Sequence, residues 1–145
     1  MNKRRQTRVI NIGGVRVGGD HPISVQSMTN TDTADLKATL AQIKRLSKAG
    51  CELIRVAVNT SDALKAMPEL CKQSPIPVIA DIQFDYRMAL GAIDAGVSGL
   101  RLNPGNLRKR WQIKAVVKEA LARKIPIRVG VNAGSLDPKI IKKHK

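Results

Sequence analysis

Short apolar segments alternate with longer amphipathic segments along most of the chain, and this alternation limits the fold more than any other sequence feature. We predict strands at 22–28, 52–58, 77–82, 99–103 and 126–132, with helices between them. One polar residue per strand marks the period, with spacings of 29, 26, 20 and 27 residues, at Gln26, Arg55, Asp81, Arg101 and Arg128. The pattern predicts an α/β fold with parallel strands joined by helices.

Local signals predict where several of these elements begin and end. The two glycines Gly13-Gly14 separate short apolar runs, which predicts a β-hairpin, and we assign residues 1–20 to this hairpin and 21–145 to the barrel portion. Asp32 is the predicted N-cap of the first helix, with Asp35 in its first turn. Further helices are predicted at about 61–72, 86–95 and 109–123, and one starting at Asp137-Pro138.

Two architectures accommodate such units, a doubly wound open sheet and part of an eight-stranded barrel. The first βα turn lacks the GxGxxG pattern of dinucleotide-binding sheets, which favours the barrel. At roughly 26 residues per unit, eight units need on the order of 210 to 250 residues, more than the 145 present. We therefore expect an incomplete TIM-like (β/α) barrel with about five parallel strands, whose first and fifth strands are edges.

The amino-acid composition limits the classes of function that this chain can have. The formal charge is +15, and residues 104–145 carry 12 basic and 2 acidic side chains. This balance suits nucleic acid, anionic membranes or phosphorylated small molecules as binding partners.

No apolar run approaches the roughly 20 residues of a membrane span, and no signal peptide follows the basic N-terminus, so a soluble cytoplasmic protein is expected. Cys51 and Cys71 lack metal-site spacing and are interpreted as small core residues.

Three predicted strands each carry an arginine among aliphatic residues: Arg55, Arg101 and Arg128. A guanidinium in apolar surroundings costs several kcal/mol unless it is paired. Asp81 and Glu52 are the candidate structural partners. Because the three arginines outnumber the carboxylates available in the strands, a bound phosphate is the alternative partner. Arginine suits phosphate because its guanidinium makes bidentate contacts to phosphate oxygens.

Side-chain amides and one carboxylate lie at the carboxyl ends of the predicted strands, where the active sites of (β/α) barrels are located. They are Gln26, Asp81, Gln83, Asn103 and Asn132. Alternation predicts that Arg101 shares a face with Asn103, and Arg128 with Asn132. The glycine-containing loops 103–106 and 132–135 have backbone amides suited to an anion. The basic run 108–111 is a candidate nucleic-acid patch, although a solvated helix N-terminus with a partly packed Trp111 is the favoured interpretation.

Five strings make the sequence resemble the 4-hydroxy-3-methylbut-2-enyl diphosphate synthase family, in order from about Thr7 to Leu136. They are VQSMTNTDTAD (25–35), AGCELIRVAV (49–58), VIADIQFDYRMAL (78–90), LRLNPGN (100–106) and IPIRVGVNAGSL (125–136). The resemblance implies a TIM-like barrel followed by a separate domain that holds a 4Fe-4S cluster. It also implies reductive ring opening of 2-C-methyl-D-erythritol 2,4-cyclodiphosphate in isoprenoid biosynthesis, with electrons from a flavodoxin or ferredoxin type donor.

The resemblance also implies roles for individual residues. Arg55, Arg101 and Arg128 would hold the diphosphate of the substrate. The polyol part would be oriented by four further residues, Gln26, Asp81, Asn103 and Asn132. The family motif usually reads Asp-Ile-His-Phe-Asp, whereas this chain has Gln83 at the histidine position; glutamine can hydrogen-bond phosphate but cannot carry a proton or a positive charge.

The cysteines and glutamate that ligate the family's cluster have no counterparts here, so we expect this chain to bind no cluster and to be inactive alone. The family homodimer places one subunit's cluster domain over the other's barrel.

An alternative function is a non-enzymatic basic module that binds phosphate or nucleic acid, although the low aromatic content, with one Phe, one Tyr and one Trp, argues against nucleic acid. A half-barrel that dimerises to close its sheet is a third possibility.

Overall fold

The computed structural model describes residues 5–107, 109–136 and 138–143. These residues include seven strands: β1 Ile10–Ile12, β2 Val15–Val17, β3 Gln26–Met28, β4 Leu53–Ala57, β5 Val78–Ile82, β6 Gly99–Leu102 and β7 Ile127–Val129. The α-helices are α1 Leu36–Lys48, α2 Ser61–Gln73, α3 Tyr86–Asp94, α4 Arg110–Ala122 and α5 Pro138–Lys143. None of these helices is long and apolar enough to cross a membrane.

The strands form two sheets. β1 and β2 make the antiparallel hairpin, and the other five make a parallel sheet in the order β3-β4-β5-β6-β7. Each parallel strand therefore pairs with the next one along the chain, through a helical crossover. The predicted α/β class with about five parallel strands is confirmed.

One face of the sheet packs under the helices and forms the hydrophobic core. Alternate strand residues such as Ile54, Val56, Ala80 and Leu100 are fully or almost fully buried there. The helices contribute Ile43, Met67, Leu70, Ile93, Val116 and others to the same cluster. Because successive strand residues point to opposite faces, the intervening residues lie on the other face of the sheet, which we call the inner face.

The sheet is strongly curved toward its inner face. A flat sheet would place edge strands β3 and β7 roughly 19 Å apart, which is four spacings of about 4.8 Å. Instead, Arg128 Nη1 on β7 donates to Gln26 Oε1 on β3 at 3.0 Å. The two edge strands thus face each other across the inner side, as the first and fifth strands of an eight-stranded barrel do.

The hairpin lies beneath the N-terminal ends of the central strands. Its turn uses Gly13 and Gly14, with φ of 57° and 100°, values that favour glycine. A Cβ on Gly13 would meet Ser98 Oγ at 2.6 Å and Pro77 Cβ at 2.7 Å, just before β6 and β5 begin. The predicted hairpin is confirmed, and it covers one end of the curved sheet.

Two outer strands are shorter than predicted. Residues 22–25 precede β3 without forming part of it, and the N–H of Val25 donates to Glu52 Oε2 at 2.8 Å. This contact also means that Glu52 accepts a backbone hydrogen bond at the surface instead of meeting a strand arginine. At the other edge β7 ends at Val129, three residues before the predicted boundary.

The cap of α1 also differs from the prediction. Asp35, and not Asp32, is the N-cap, and its Oδ1 accepts from the N–H of Ala38 at 2.9 Å. Asp32 instead stabilises the preceding turn through the N–H of Ala34. Two closely spaced aspartates both match the capping pattern, so sequence spacing alone did not separate them. The predicted cap Asp137 lies outside the described residues, and α5 begins at Pro138.

Replacing Asp35 by alanine is expected to lower the free energy of unfolding by about 1 kcal/mol, because one N–H of the first turn of α1 loses its acceptor. Urea denaturation followed by circular dichroism measures this change. Asp35→Asn is the matched control, since asparagine caps about as well as aspartate. Equal losses in the two variants would contradict the capping role.

Candidate functional site

Asp81 lies at the centre of a charged cluster on the inner face. Its side chain is almost fully buried, and Arg101 Nη1 on the neighbouring strand donates to Asp81 Oδ1 at 3.0 Å. Arg55 Nε on the opposite side lies 3.6 Å from Asp81 Oδ2. The structure thus brings together two of the predicted arginines and shows Asp81 as their structural partner.

Arg101 is held from two sides. Besides Asp81, it donates through Nη2 to the backbone carbonyl of Gly130 at 3.1 Å. Only 6% of Arg101 is exposed, so its guanidinium is desolvated and fixed in one position. A buried charge of this kind requires compensation, which Asp81 supplies.

Arg128 extends the cluster to the sheet edge. β6 and β7 pair Arg101 with Arg128, so both lie on the inner face. The acceptor of Arg128 is the neutral carboxamide of Gln26. Burial, followed by the guanidiniums of Arg55 and Arg101, lowers the pKa of Arg128 from its ordinary value. Arg128 is nevertheless exposed at the sheet edge, so its guanidinium is accessible to an incoming anion.

The cluster carries excess positive charge. Among the residues that the structure describes, the cluster of three inner-face arginines contains one carboxylate, that of Asp81, which pairs with Arg55 and Arg101, so the local charge is +2. Guanidinium groups bind phosphate oxygens through paired hydrogen bonds. Since the arginines approach the site from three different strands, the arrangement can hold an anion with several phosphate oxygens.

Gln83 lies beside the cluster and is partly exposed. Its Nε2 donates to Asp81 Oδ1 at 3.1 Å, so the side chain takes part in the Asp81 network. A carboxamide in this position supplies hydrogen bonds and no charge.

Asn103 and Asn132 have different surroundings. Asn103 is 1% exposed, and its side chain bonds to Ser135 Oγ and to the N–H of Gly105. Asn132 is exposed and lies beyond β7, so strand alternation does not place it with Arg128. Ser135 Oγ accepts from the Asn132 N–H and donates to its carbonyl. The loops 103–106 and 132–135 are therefore fastened to each other, and several of their amides have protein acceptors.

Three participants were missed from the sequence: Gly130, Met28 and Ser135. Gly130 provides the carbonyl for Arg101, and a Cβ there would lie 2.9 Å from Arg101 Nε. Met28 Sδ accepts from Arg55 Nε at 3.2 Å. The signal for Gly130 was its position two residues after Arg128, on the same side of the extended chain. No comparable signal identified Ser135, whose contact spans 32 residues.

Gly130→Ala is expected to displace the Arg101 guanidinium and to cost about 1–3 kcal/mol of stability through overpacking. Gly134→Ala is the matched control in the following loop, because a Cβ there meets no atom within 4 Å. Thermal and urea unfolding compare the two variants. If both unfold alike, the close approach of Gly130 to Arg101 does not constrain the site.

The cysteines do not fit the iron-sulfur cluster that the resemblance implies. Cluster ligands are thiolates grouped in space. Cys51 is buried and donates to the carbonyl of Leu53 at 3.0 Å, while burial raises the pKa of Cys71 to about 11. Within residues 5–107, 109–136 and 138–143, no group of three His, Cys, Asp or Glu side chains could hold a metal ion.

An apolar cavity of about 460 Å³ lies between the hairpin and the sheet. Gln26 and Arg128 form part of its polar lining. The apolar lining comes from both sheets and includes Ile10, Ile12, Val17, Leu53, Ile79 and Ile127. The inner face therefore has an apolar zone toward the hairpin and a cationic zone toward the carboxyl ends of the strands.

Comparisons with known proteins identify the family to which this chain is similar. Residues 7–145 match the GcpE TIM-barrel domain family. The 4-hydroxy-3-methylbut-2-en-1-yl diphosphate synthase (flavodoxin) of Thermodesulfovibrio yellowstonii is 55% identical over 144 residues, which cover 99% of this chain and 41% of that protein. The proteins of the same name from Geobacter sulfurreducens and Clostridium acetobutylicum are 54% and 51% identical, over 97% and 99% of this chain and 40% and 41% of their own lengths.

The chain thus spans about two fifths of the length of the curated relatives it matches. The family match covers nearly the whole chain, and its description as a TIM-barrel domain agrees with the curved parallel sheet. The resemblance found in the sequence motifs is confirmed. This chain belongs to the GcpE TIM-barrel domain family.

Proposed function

We propose that this chain is the diphosphate-binding barrel portion of a 4-hydroxy-3-methylbut-2-enyl diphosphate synthase. The observation that carries the proposal is the +2 cluster on the inner face, where Asp81 pairs with Arg55 and Arg101 while the neighbouring Arg128 bonds to a neutral amide. The relatives' names support the choice of a diphosphate as the anion.

In the proposed reaction, 2-C-methyl-D-erythritol 2,4-cyclodiphosphate takes up two electrons and two protons, its ring opens, and one water is lost. A 4Fe-4S cluster would supply the electrons, and polypeptide other than these 145 residues would hold it, since the cysteines here do not fit it. The barrel portion then contributes binding and orientation, which is the usual part of a protein in cofactor chemistry.

Arg55, Arg101 and Arg128 hold the diphosphate in this proposal. Arg128 is the most available of the three, because its acceptor is neutral whereas Asp81 already pairs with the other two. The residues proposed to orient the polyol part are Gln26, Asp81, Asn103 and Asn132, and Gln83 is proposed to hydrogen-bond the substrate phosphate. The Asn103 side chain would reach the substrate only through rearrangement of its contacts with Ser135 and Gly105.

The partners follow from the same proposal. The flavodoxin in the relatives' names is the proposed electron donor, and a homodimer and a cytoplasmic location are proposed for the whole enzyme. The chain alone is expected to bind substrate without turning it over.

Isothermal titration calorimetry with the cyclic diphosphate tests the proposal on the 145-residue chain. We expect saturable binding that weakens with added salt, because the contacts are ionic. An assay with chemically reduced flavodoxin is expected to show no product. Absence of binding at millimolar cyclic diphosphate, with circular dichroism showing a folded chain, would overturn the proposal.

A further inference from the structure

One hydroxyl group joins the two loops that follow β6 and β7. Ser135 Oγ accepts from Asn103 Nδ2 at 3.1 Å and from the N–H of Asn132 at 3.2 Å, and it donates to the carbonyl of Asn132 at 2.9 Å. Asn103 Oδ1 is a more distant acceptor for the same proton, at 3.3 Å. A hydroxyl donates one hydrogen bond and accepts two. The bonds to Asn103 and Asn132 therefore use the full hydrogen-bonding capacity of Ser135.

The backbones of the two loops are also in contact at Gly105. A Cβ there would clash with the carbonyl oxygen of Ser135 and would lie 2.8 Å from its carbonyl carbon, so a larger residue separates the loops. The N–H of Gly105 donates to Asn103 Oδ1 at 3.0 Å. Both the nitrogen and the oxygen of the Asn103 carboxamide thus have partners inside the protein. We call the contacts of Asn103 with Ser135 and Gly105 the amide clasp.

The amide clasp lies next to the arginine cluster. Asn103 directly follows β6, two residues after Arg101 and on the same face of the chain. The carbonyl of Leu102 accepts from the N–H of Gly130 at 3.0 Å, and the carbonyl of Gly130 accepts from Arg101 Nη2 at 3.1 Å. A ligand at the cluster would therefore lie beside the clasp. While the clasp is closed, however, only 1% of Asn103 is exposed.

The segment that carries Ser135 is loosely packed against the rest of the fold. A groove of about 340 Å³ lies between this segment and the loop that contains Pro104 and Leu107. Val131 and Leu136 line the same groove and are 45% and 40% exposed. Segments with little apolar burial open at a low cost in free energy. The hydrogen bonds of the amide clasp are therefore a substantial part of what holds this loop closed.

We propose that the amide clasp is an autoinhibitory contact, in which Ser135 occupies Asn103 until a hydroxyl-bearing phosphate ligand at the arginine cluster replaces it. The proposal rests on the proposed function, in which Asn103 orients the polyol part of the cyclic diphosphate. A hydroxyl of the polyol can accept from Asn103 Nδ2 as the serine hydroxyl does, so the exchange preserves the hydrogen bond of a buried amide. Because the wild-type chain must first break its own contact, the clasp lowers its affinity for the ligand.

Calorimetric titration of Ser135→Ala with the cyclic diphosphate tests the clasp. We expect binding about 3- to 10-fold tighter than in wild type, the factor that corresponds to one hydrogen bond, together with a lower urea midpoint. Both changes have one cause, because the variant leaves Asn103 Nδ2 without its partner in the free protein and the ligand restores one. A residue with only a structural role would lower stability without tightening binding. Ser135→Thr keeps the hydroxyl and should bind like wild type.

Ser74→Ala is the matched control, because the Ser74 hydroxyl donates to the carbonyl of Ile76 at 2.6 Å in the loop before β5, at the opposite end of the strands. This control should lower the urea midpoint and leave the affinity unchanged. Gly105→Ala separates the loops without removing either side chain of the clasp, so it should also tighten binding. Gly134→Ala is its control, because a Cβ there meets no atom within 4 Å.

Tighter binding by Ser135→Ala, abolished as an effect when Asn103 is also replaced by alanine, supports the proposal. Tightening that persists in the Asn103→Ala background would overturn it, because the effect would then not pass through the clasp. Unchanged or weaker binding by Ser135→Ala, with normal binding by wild type, would also overturn the clasp and leave the proposed function standing. Absence of binding in wild type and in every variant would remove the proposed function, and the clasp with it.

Discussion

Asp81→Asn is expected to lower the free energy of unfolding by about 3–5 kcal/mol, the largest stability change we predict for the inner face. Asparagine keeps the size of the side chain, so no cavity forms, but the buried guanidinium of Arg101 loses its counter-charge. Arg55 and Arg128 then add like charges nearby without compensation. Urea denaturation in phosphate-free buffer measures the loss.

Asp62→Asn is the control for this prediction. Asp62 pairs with Lys65 at 2.8 Å at the exposed surface of α2, where solvent screens the interaction, and its removal is expected to leave the unfolding midpoint unchanged. Added pyrophosphate should stabilise Asp81→Asn more than wild type, because the anion can replace the lost carboxylate. A loss below about 1 kcal/mol, the size of an ordinary hydrogen bond, would show that Asp81 does not compensate the cluster.

Arg128→Gln is expected to weaken binding of the cyclic diphosphate about 10- to 100-fold. Hydrogen bonds to charged groups contribute about 1.5–3 kcal/mol, and each 1.4 kcal/mol is a factor of ten in affinity. The variant should unfold like wild type, since Arg128 bonds to a neutral amide and its removal reduces repulsion with Arg55 and Arg101. Calorimetry and urea denaturation on the same preparations separate affinity from stability.

Arg123→Gln is the matched control, because it removes one positive charge from a residue that pairs with Asp94 and Glu119 at the surface. Its affinity for the cyclic diphosphate should remain within a factor of two or so of wild type, as expected for a screened distant charge. Equal weakening in the two variants would show that total charge, and not the position of Arg128, governs binding.

The fold was largely predictable because its elements have strong local signals. Each crossover combines an apolar strand with an amphipathic helix, and Gly13-Gly14 identifies the hairpin turn. Strand alternation placed Arg101 and Arg128 on one face, where the structure pairs them in register. The N-cap of α1 was harder to predict, because Asp32 and Asp35 both match the N-cap pattern. Only the path of the backbone shows that Asp35 is the cap.

The candidate site was predictable in its residue types and less so in its contacts. An arginine in a strand indicates that a partner is needed, but the identity of the partner depends on strand register. Asp81 was one of two candidates, and register with Arg101 selects it over Glu52. The bond between Asn103 and Ser135 joins two loops from different units, so no local pattern predicted it. The position of Gly130 two residues after Arg128 indicates its face of the chain, but the residue type does not show that its carbonyl accepts from Arg101.

The order of the parallel strands follows the order of the chain, β3-β4-β5-β6-β7, and this has a consequence for biosynthesis. During translation the N-terminal part emerges first, and domains begin to fold from that end. Each new strand finds its neighbour already synthesised, so the sheet can grow unit by unit as the polypeptide leaves the ribosome. The bond between Gln26 and Arg128 links positions 102 residues apart and can form only when the fifth strand has emerged. The arginine cluster is thus completed late in the synthesis of the chain.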